Sequence, residues 1–144
     1  MKHQKIIFKL VLLFFVICNV KSVSSQEEGL INKTKSQIKL TETKQLYLQG
    51  NIKTALLNYK EIIALNPSIP KAHFGISRCY YKLHDYKKAK YHAEIAEKNN
   101  PKVDEDLYYL LGEIYFRLEK LKKSKTSYEK FVSEIKSKQK IKDY

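Results

Sequence analysis

The chain has 144 residues, with 28 Lys and Arg against 15 Asp and Glu, and a formal net charge of +13. Hydrophobic residues at 43% and charged residues at 30% give it the composition of one globular domain and exclude a wholly disordered chain. Four glycines and three prolines exclude collagen-like and turn-rich all-β architectures, and two cysteines cannot build a disulfide framework or a four-ligand zinc site.

Residues 1–25 carry Lys2, Lys5, Lys9 and Lys21, no acid, and the short apolar run Leu10 to Val20. A spanning helix needs roughly 20 apolar residues. A basic start, a short apolar core and then small polar residues is the pattern of a signal peptide. Val23 and Ser25 place cleavage after Ser25, leaving Gln26 first; an uncleaved anchor is the alternative. Lipidation at Cys18 is disfavoured, because Ile17 stands where a small residue is needed. Removing these 25 residues takes away four lysines and no acid, leaving 119 residues at +9. Cys79 is then the one cysteine, so no intrachain disulfide can form. Heavy use of Lys, Ile, Asn and Tyr fits an AT-rich, bacterial genome.

Gln26 to Lys35 is polar apart from Leu30 and Ile31 and reads as a linker or a frayed helix start. From Ser36 onward the apolar spacing is helical. Gly50-Asn51, Asn66-Pro67, His84-Asp85 and Asn99-Asn100-Pro101 break it, each between runs of helix length. The breakers repeat: Ala55 recurs as Ala89 and Pro67 as Pro101, both 34 residues on. A third copy follows with one extra residue, so Tyr80 maps to Tyr115 and Leu83 to Leu118, 35 apart. A 34-residue helix–turn–helix period is a repeat-array signature.

Over about 36–136 the chain resembles the tetratricopeptide repeat (TPR) family. The middle unit carries Ile76, Ser77, Tyr80, Asp85-Tyr86, Ala89, Ala93, Ala96 and Pro101. The third carries Tyr108, Leu111-Gly112, Tyr115, Leu121, Ser124, Tyr128 and Phe131, with Lys136 where proline is common. The first has Ala55, Tyr59, Ile62 and Pro67, but Lys39 and Glu42 fall where large apolar residues are usual, so its first helix is read as looser or shifted in register. The units span about 36–69, 70–104 and 105–138, the last helix runs from Leu121 to about Gln139, and 140–144 form a basic tail. The resemblance implies an all-α, right-handed superhelical α-solenoid. Small residues (Ser77, Gly112, Ala55, Ala89, Ser124) let paired helices approach. Tyr59, Tyr80, Tyr115 and Tyr128 fill the space between units. The lysine-studded last helix is expected to act as its own polar cap.

In this family the first helix of each unit lines a concave groove. Carried over, the groove positions are Leu40, Lys44, Tyr47 and Leu48; then Lys71, Phe74, Arg78, Tyr81 and Lys82; then Asp106, Tyr109, Glu113, Phe116 and Arg117. They are read as surplus to helix packing, with plain contact to a neighbouring repeat as the alternative. Arg78 and Arg117, the two arginines of the chain, suit carboxylate recognition. Some family members clamp a terminal carboxylate, but Leu40, Lys44, Gly75, Asp106 and Leu110 occupy the matching positions and Lys44 alone is basic, so that clamp is not supported.

No nucleophile–base spacing, phosphate-cradling loop or paired-carboxylate site is visible. His73, Cys79, His84 and His92 are the metal or nucleophile candidates and are assigned packing or surface roles. Asp104-Glu105-Asp106 is expected to open a helix. From Arg117 to Tyr144 there are 10 bases and 4 acids. The expected function is non-catalytic protein or peptide binding, without cofactor or metal, by an exported adaptor or assembly factor that is periplasmic, envelope-associated or secreted. The rivals are a polyanion or membrane-surface binder acting through the last helix and an input module of a signalling system. Nucleic acid is disfavoured as a partner, and self-association through either end is an expectation.

Overall fold

The computed structural model describes residue 31 and residues 34–142. The segment read as a signal peptide, its cleavage point, Cys18 and residues 26–30 lie outside the described residues. The chain divides into two units, residues 1–37 and 38–144. Of the first, the described residues 31 and 34–37 are helical.

Helix α1 is described over 34–48, and it is followed by α2 (Ile52–Leu65), α3 (Pro70–Lys82), α4 (Tyr86–Asn99), α5 (Leu107–Arg117) and α6 (Leu121–Lys142). There is no strand among the described residues. Each helix from α2 on packs against the next, and α3 also touches α5. The second unit is an all-α helical repeat solenoid of three hairpins. Helix α6 continues to Lys142, so residues 140–142, expected in a tail, are helical.

The turn inside each hairpin is one motif in three copies. Gly50, His84 and Glu119 occupy equivalent positions and have φ of 85°, 61° and 57°. In each copy the following N–H reaches back five residues to close the helix: Asn51 to Leu46 at 2.9 Å, Asp85 to Tyr80 at 3.0 Å and Lys120 to Tyr115 at 2.8 Å. This is a Schellman end, with the residue past the helix left-handed. The first helix is thus in register with the others. Its buried positions include Leu40 and Thr43, not Lys39 and Glu42. Thr43 aligns with Ser77 and Gly112, the small residues of the later hairpins, and Lys39 pairs with Glu61 of α2.

The connections between hairpins also repeat. The Asn66 side-chain oxygen accepts from Ser68 N–H at 3.2 Å, and that of Asn100 from Lys102 N–H at 2.9 Å. These Asx turns halt α2 and α4, and Pro70 opens α3 at a position where its missing N–H costs nothing. Asp104 makes a similar local turn, accepting from Asp106 N–H at 3.1 Å. The acidic run thus shapes the loop and opens α5 as expected, with Asp106 as the N-cap residue but without a side-chain capping bond.

Burial lies between hairpins as much as within them. One cluster joins Leu40, Ala55, Leu56, Tyr59 and Ile62 to Ala72, Ile76 and Cys79 of α3. A second joins Phe74, Ala89, Ala93 and Ala96 to Leu107, Leu110, Leu111, Ile114 and Tyr115 of α5. Tyr80 borders both. Within the hairpins, Ser77 Oγ donates to the Ala89 carbonyl at 2.8 Å and Ser124 Oγ to the Gly112 carbonyl at 2.9 Å.

Two substitutions test this account. Glu119→Gly relieves a left-handed side-chain penalty and is expected to stabilise by about 1 kcal/mol, raising Tm by a few degrees. Gly75→Ala would drive a methyl into the Tyr59 ring, at an expected cost of about 1–3 kcal/mol. Thermal melts check both, and the Gly75→Ala loss should shrink when Tyr59 is also truncated.

Candidate peptide-binding groove

Contacts that run directly from α1 to α3 to α5 define one inner row. The Arg78 guanidinium lies 4.3 Å from the Tyr47 ring centre and 5.7 Å from that of Phe74. Stacking holds the guanidinium flat and orders its in-plane N–H donors. Next along the row the Tyr81 hydroxyl donates to Glu113 at 2.8 Å, and the Tyr128 hydroxyl of α6 donates to the same carboxylate at 2.5 Å. Tyr86 meets the Tyr81 ring edge-on at 5.6 Å.

The two hydroxyls hold the Glu113 carboxyl below the usual carboxylate range, the Tyr128 bond first and the Tyr81 bond second. Burial pushes both tyrosine hydroxyls up, and their bonds to Glu113 push in the same direction. Glu113 is therefore a fixed charge joining α3, α5 and α6. Its role needed Tyr128, a second-helix residue that the groove pattern does not contain. The exposed Arg117 lies beside the Tyr81 hydroxyl, which favours its charged form.

The remaining predicted groove residues divide into three groups. Leu40 and Phe74 are buried in the two clusters, with Phe74 only 4% exposed. They are packing residues, because a neighbouring helix covers each of them. Lys44, Lys71, Lys82 and Asp106 are exposed, as is Leu48. Tyr109 and Phe116 are 47% and 55% exposed, but they turn toward α6, not along the inner row. Tyr109 packs on Tyr128 and Phe131 at 6.0 and 5.5 Å, and Phe116 shares a groove with α6 residues. Of the clamp positions, Leu40, Gly75 and Leu110 are buried.

Of the histidine and cysteine candidates, Cys79, His73 and His92 are engaged in packing, and exposed His84 sits in the turn with its Nδ1 2.9 Å from the Tyr86 hydroxyl. Cys79 is buried, which pushes its thiol up to about 12. His73 Nε2 lies 2.9 Å from the Pro67 carbonyl and its Nδ1 lies 3.0 Å from His92 Nδ1. A carbonyl can only accept, so His73 carries its proton on Nε2 and His92 donates from Nδ1. Burial, with His73 and Lys60 close by, lowers the His92 pKa to about 4. No group of three or more His, Cys, Asp or Glu able to hold a metal lies among the described residues.

The His92 shift gives a pH prediction. The unfolded chain takes up a proton below about pH 6.5, while folded His92 stays neutral to about pH 4. His92 therefore contributes its stability in full above pH 6.5 and loses it as pH falls toward 4. Tm measured against pH should fall across that window, and His92→Gln should flatten the slope.

Residues 105–136 match the family model described as tetratricopeptide repeat. No curated protein matches the sequence. Among solved structures the chain is similar to YrrB, a TPR protein with an unusual peptide-binding site, at 25% identity and TM-score 0.62. That match covers 66% of this chain and 48% of YrrB, so the chain spans about half the length of that relative. It is also similar to the first TPR of Spaghetti (RPAP3) bound to the HSP90 peptide SRMEEVD, at 21% identity and TM-score 0.64, covering 69% of this chain and 79% of that one. The Sgt2 TPR domain from Aspergillus fumigatus shares the fold at 22% identity and TM-score 0.62, covering 69% and 65% of the two chains. The third hairpin matches the tetratricopeptide repeat model, and the helical array shares its fold with these TPR structures over about two thirds of the chain.

Proposed function

We propose that the chain is a non-catalytic module of an exported protein that binds acidic peptide segments along its inner row, as an adaptor or assembly factor in the cell envelope. The observation that carries the reading is Arg78 held over the Tyr47 ring, on a row whose positions also include the exposed cations Lys44, Lys82 and Arg117. Of the two acids among the groove positions, Glu113 is already engaged by two hydroxyls and Asp106 stands before the first turn of α5. A carboxylate entering the row therefore meets ordered cations and rings with little opposing charge. The Spaghetti repeats, which share this fold, hold a peptide whose sequence SRMEEVD carries three acids.

The alternative, a polyanion or membrane-surface binder acting through α6, is weakened by pairing. Lys130 bonds Glu97 at 2.9 Å and Lys138 bonds Glu105 at 2.7 Å, so part of the lysine face ties the repeats together. Export rests on the basic and apolar pattern of residues 1–25. No helix among the described residues is long and apolar enough to cross a membrane.

An array of acidic heptapeptides that includes SRMEEVD, each beside its Gln/Asn counterpart, tests the groove by fluorescence anisotropy. The acidic forms should bind the 144-residue chain at least about tenfold tighter than the neutral ones. Arg78→Ala/Arg117→Ala should remove most of that preference. Equal binding of both forms, or an unaffected arginine variant, would refute the groove. Binding that instead disappears at moderate salt and depends on Lys122, Lys123 and Lys136 would establish the α6 reading. Export predicts that the protein recovered from a bacterial periplasm starts at Gln26; retention in the cytoplasm removes that part of the proposal.

A further inference from the structure

The third hairpin carries a face built like the one on the middle hairpin that receives α5. On the middle hairpin Phe74, Ala89, Ala93 and Ala96, with Tyr81 at the edge, form the seat on which α5 lies. Their counterparts 35 residues on are Tyr109, Ser124, Tyr128, Phe131 and Phe116. Phe74 is 4% exposed, whereas Tyr109 and Phe116 are 47% and 55% exposed. Between the end of α5 and α6 lies an open groove of about 650 Å³ with Phe116, Leu121, Tyr128 and Val132 on its walls. Leu121 and Val132 are 63% and 46% exposed. The polar cap expected of α6 is thus incomplete, because its lysines flank this stripe without covering it.

We propose that this end face docks an acidic, amphipathic helix of a partner protein, laid on α5 and α6 as α5 lies on α3 and α4. The internal repeats state what such a helix needs. Tyr59, the first-unit counterpart of Tyr128, abuts Gly75 of the helix that follows it. By that pattern the docked helix carries a glycine opposite Tyr128, whose ring also lies over Gly112 of α5. Glu94, the counterpart of Glu129, accepts from the Tyr115 hydroxyl of α5 at 2.9 Å. Glu129 is exposed and paired only loosely with Lys125 at 3.8 Å, so it can receive a hydroxyl from a tyrosine one turn on. Lys125 and Lys136 stand on the rim, and Lys136 aligns with Pro67, whose carbonyl meets His73 of α3. An acid in the place of His73 would therefore face Lys136. A second copy of this chain is the wrong occupant, since each copy carries +13 and like charges disfavour the approach.

The test uses the full 144-residue chain and a helix-stapled peptide of residues 69–83. The peptide carries Lys71→Glu, His73→Glu, Lys82→Glu and Cys79→Ala, and keeps Gly75 and Tyr80 for Tyr128 and Glu129. Saturable binding in the range of about 10–100 μM is expected. Phe116→Glu/Val132→Glu in the chain should weaken it at least about tenfold with an unchanged Tm, because both residues are exposed. A Gly75→Leu peptide should fail to bind. Arg78→Ala/Arg117→Ala should leave binding unaltered, which separates this face from the inner row. No saturation by about 100 μM, equal binding of the Gly75→Leu peptide, or loss in the arginine variant overturns the proposal. So does a sedimenting dimer of the chain that Val132→Glu disperses, because the occupant is then a second copy.

Discussion

In the middle hairpin the hydroxyl of Ser77 donates to the Ala89 carbonyl, and in the last hairpin that of Ser124 donates to the Gly112 carbonyl. The two bonds sit at the same junction and run in opposite directions. Each places a side-chain hydroxyl against the backbone of the facing helix, a distance that large side chains would forbid. Close approach of this kind leaves two short helices with too little enclosed volume to bury their apolar stripes. The stripes must then be covered by the next hairpin. The two clusters that join α2 to α3 and α4 to α5 follow from that constraint, and so does the exposed apolar face of the third hairpin.

Much of this was legible in the sequence because the period is carried by residues with narrow structural meaning. Proline and asparagine at the hairpin connections and alanine at the helix crossings recur at 34 residues and fix the units. The left-handed turn residue was legible only at Gly50. His84 and Glu119 adopt the same conformation, but their residue types do not demand it. Lys39 and Glu42 made α1 look irregular, although Leu40 and Thr43 bury the face that the register requires.

The groove was less legible, since helical spacing gives the face of a residue and not its depth. Phe74 and Arg78 are four apart and share a face, yet Phe74 is a floor and Arg78 the layer stacked above it. The knot at Glu113 draws on three helices, and one of its partners, Tyr128, lies on a helix assigned to packing. No spacing rule reaches across that distance in sequence.

The acids show how the surface acquires its charge. Glu61 pairs with Lys39, Glu97 with Lys130, Glu105 with Lys138, Glu94 with Tyr115, and Glu113 with Tyr81 and Tyr128. Each contact joins different elements, Glu105 reaching α6 from the loop before α5, and the bonds of Glu94, Glu97 and Glu105 reach residues 21 to 33 positions away. Exposed ion pairs of this sort contribute little stability individually, but together they engage acids in contacts between helices. Other cations stay outside these contacts between helices: the half-buried, stacked Arg78 and exposed Arg117 on the inner row, and Lys125 and Lys136 at the end face. Recognition of acidic partners at both places then has one origin: acids draw the helices together and the surplus bases mark where a partner can bind. Position within the array decides the rest, because an aromatic that is core in one hairpin, Phe74, is exposed in the next, Tyr109.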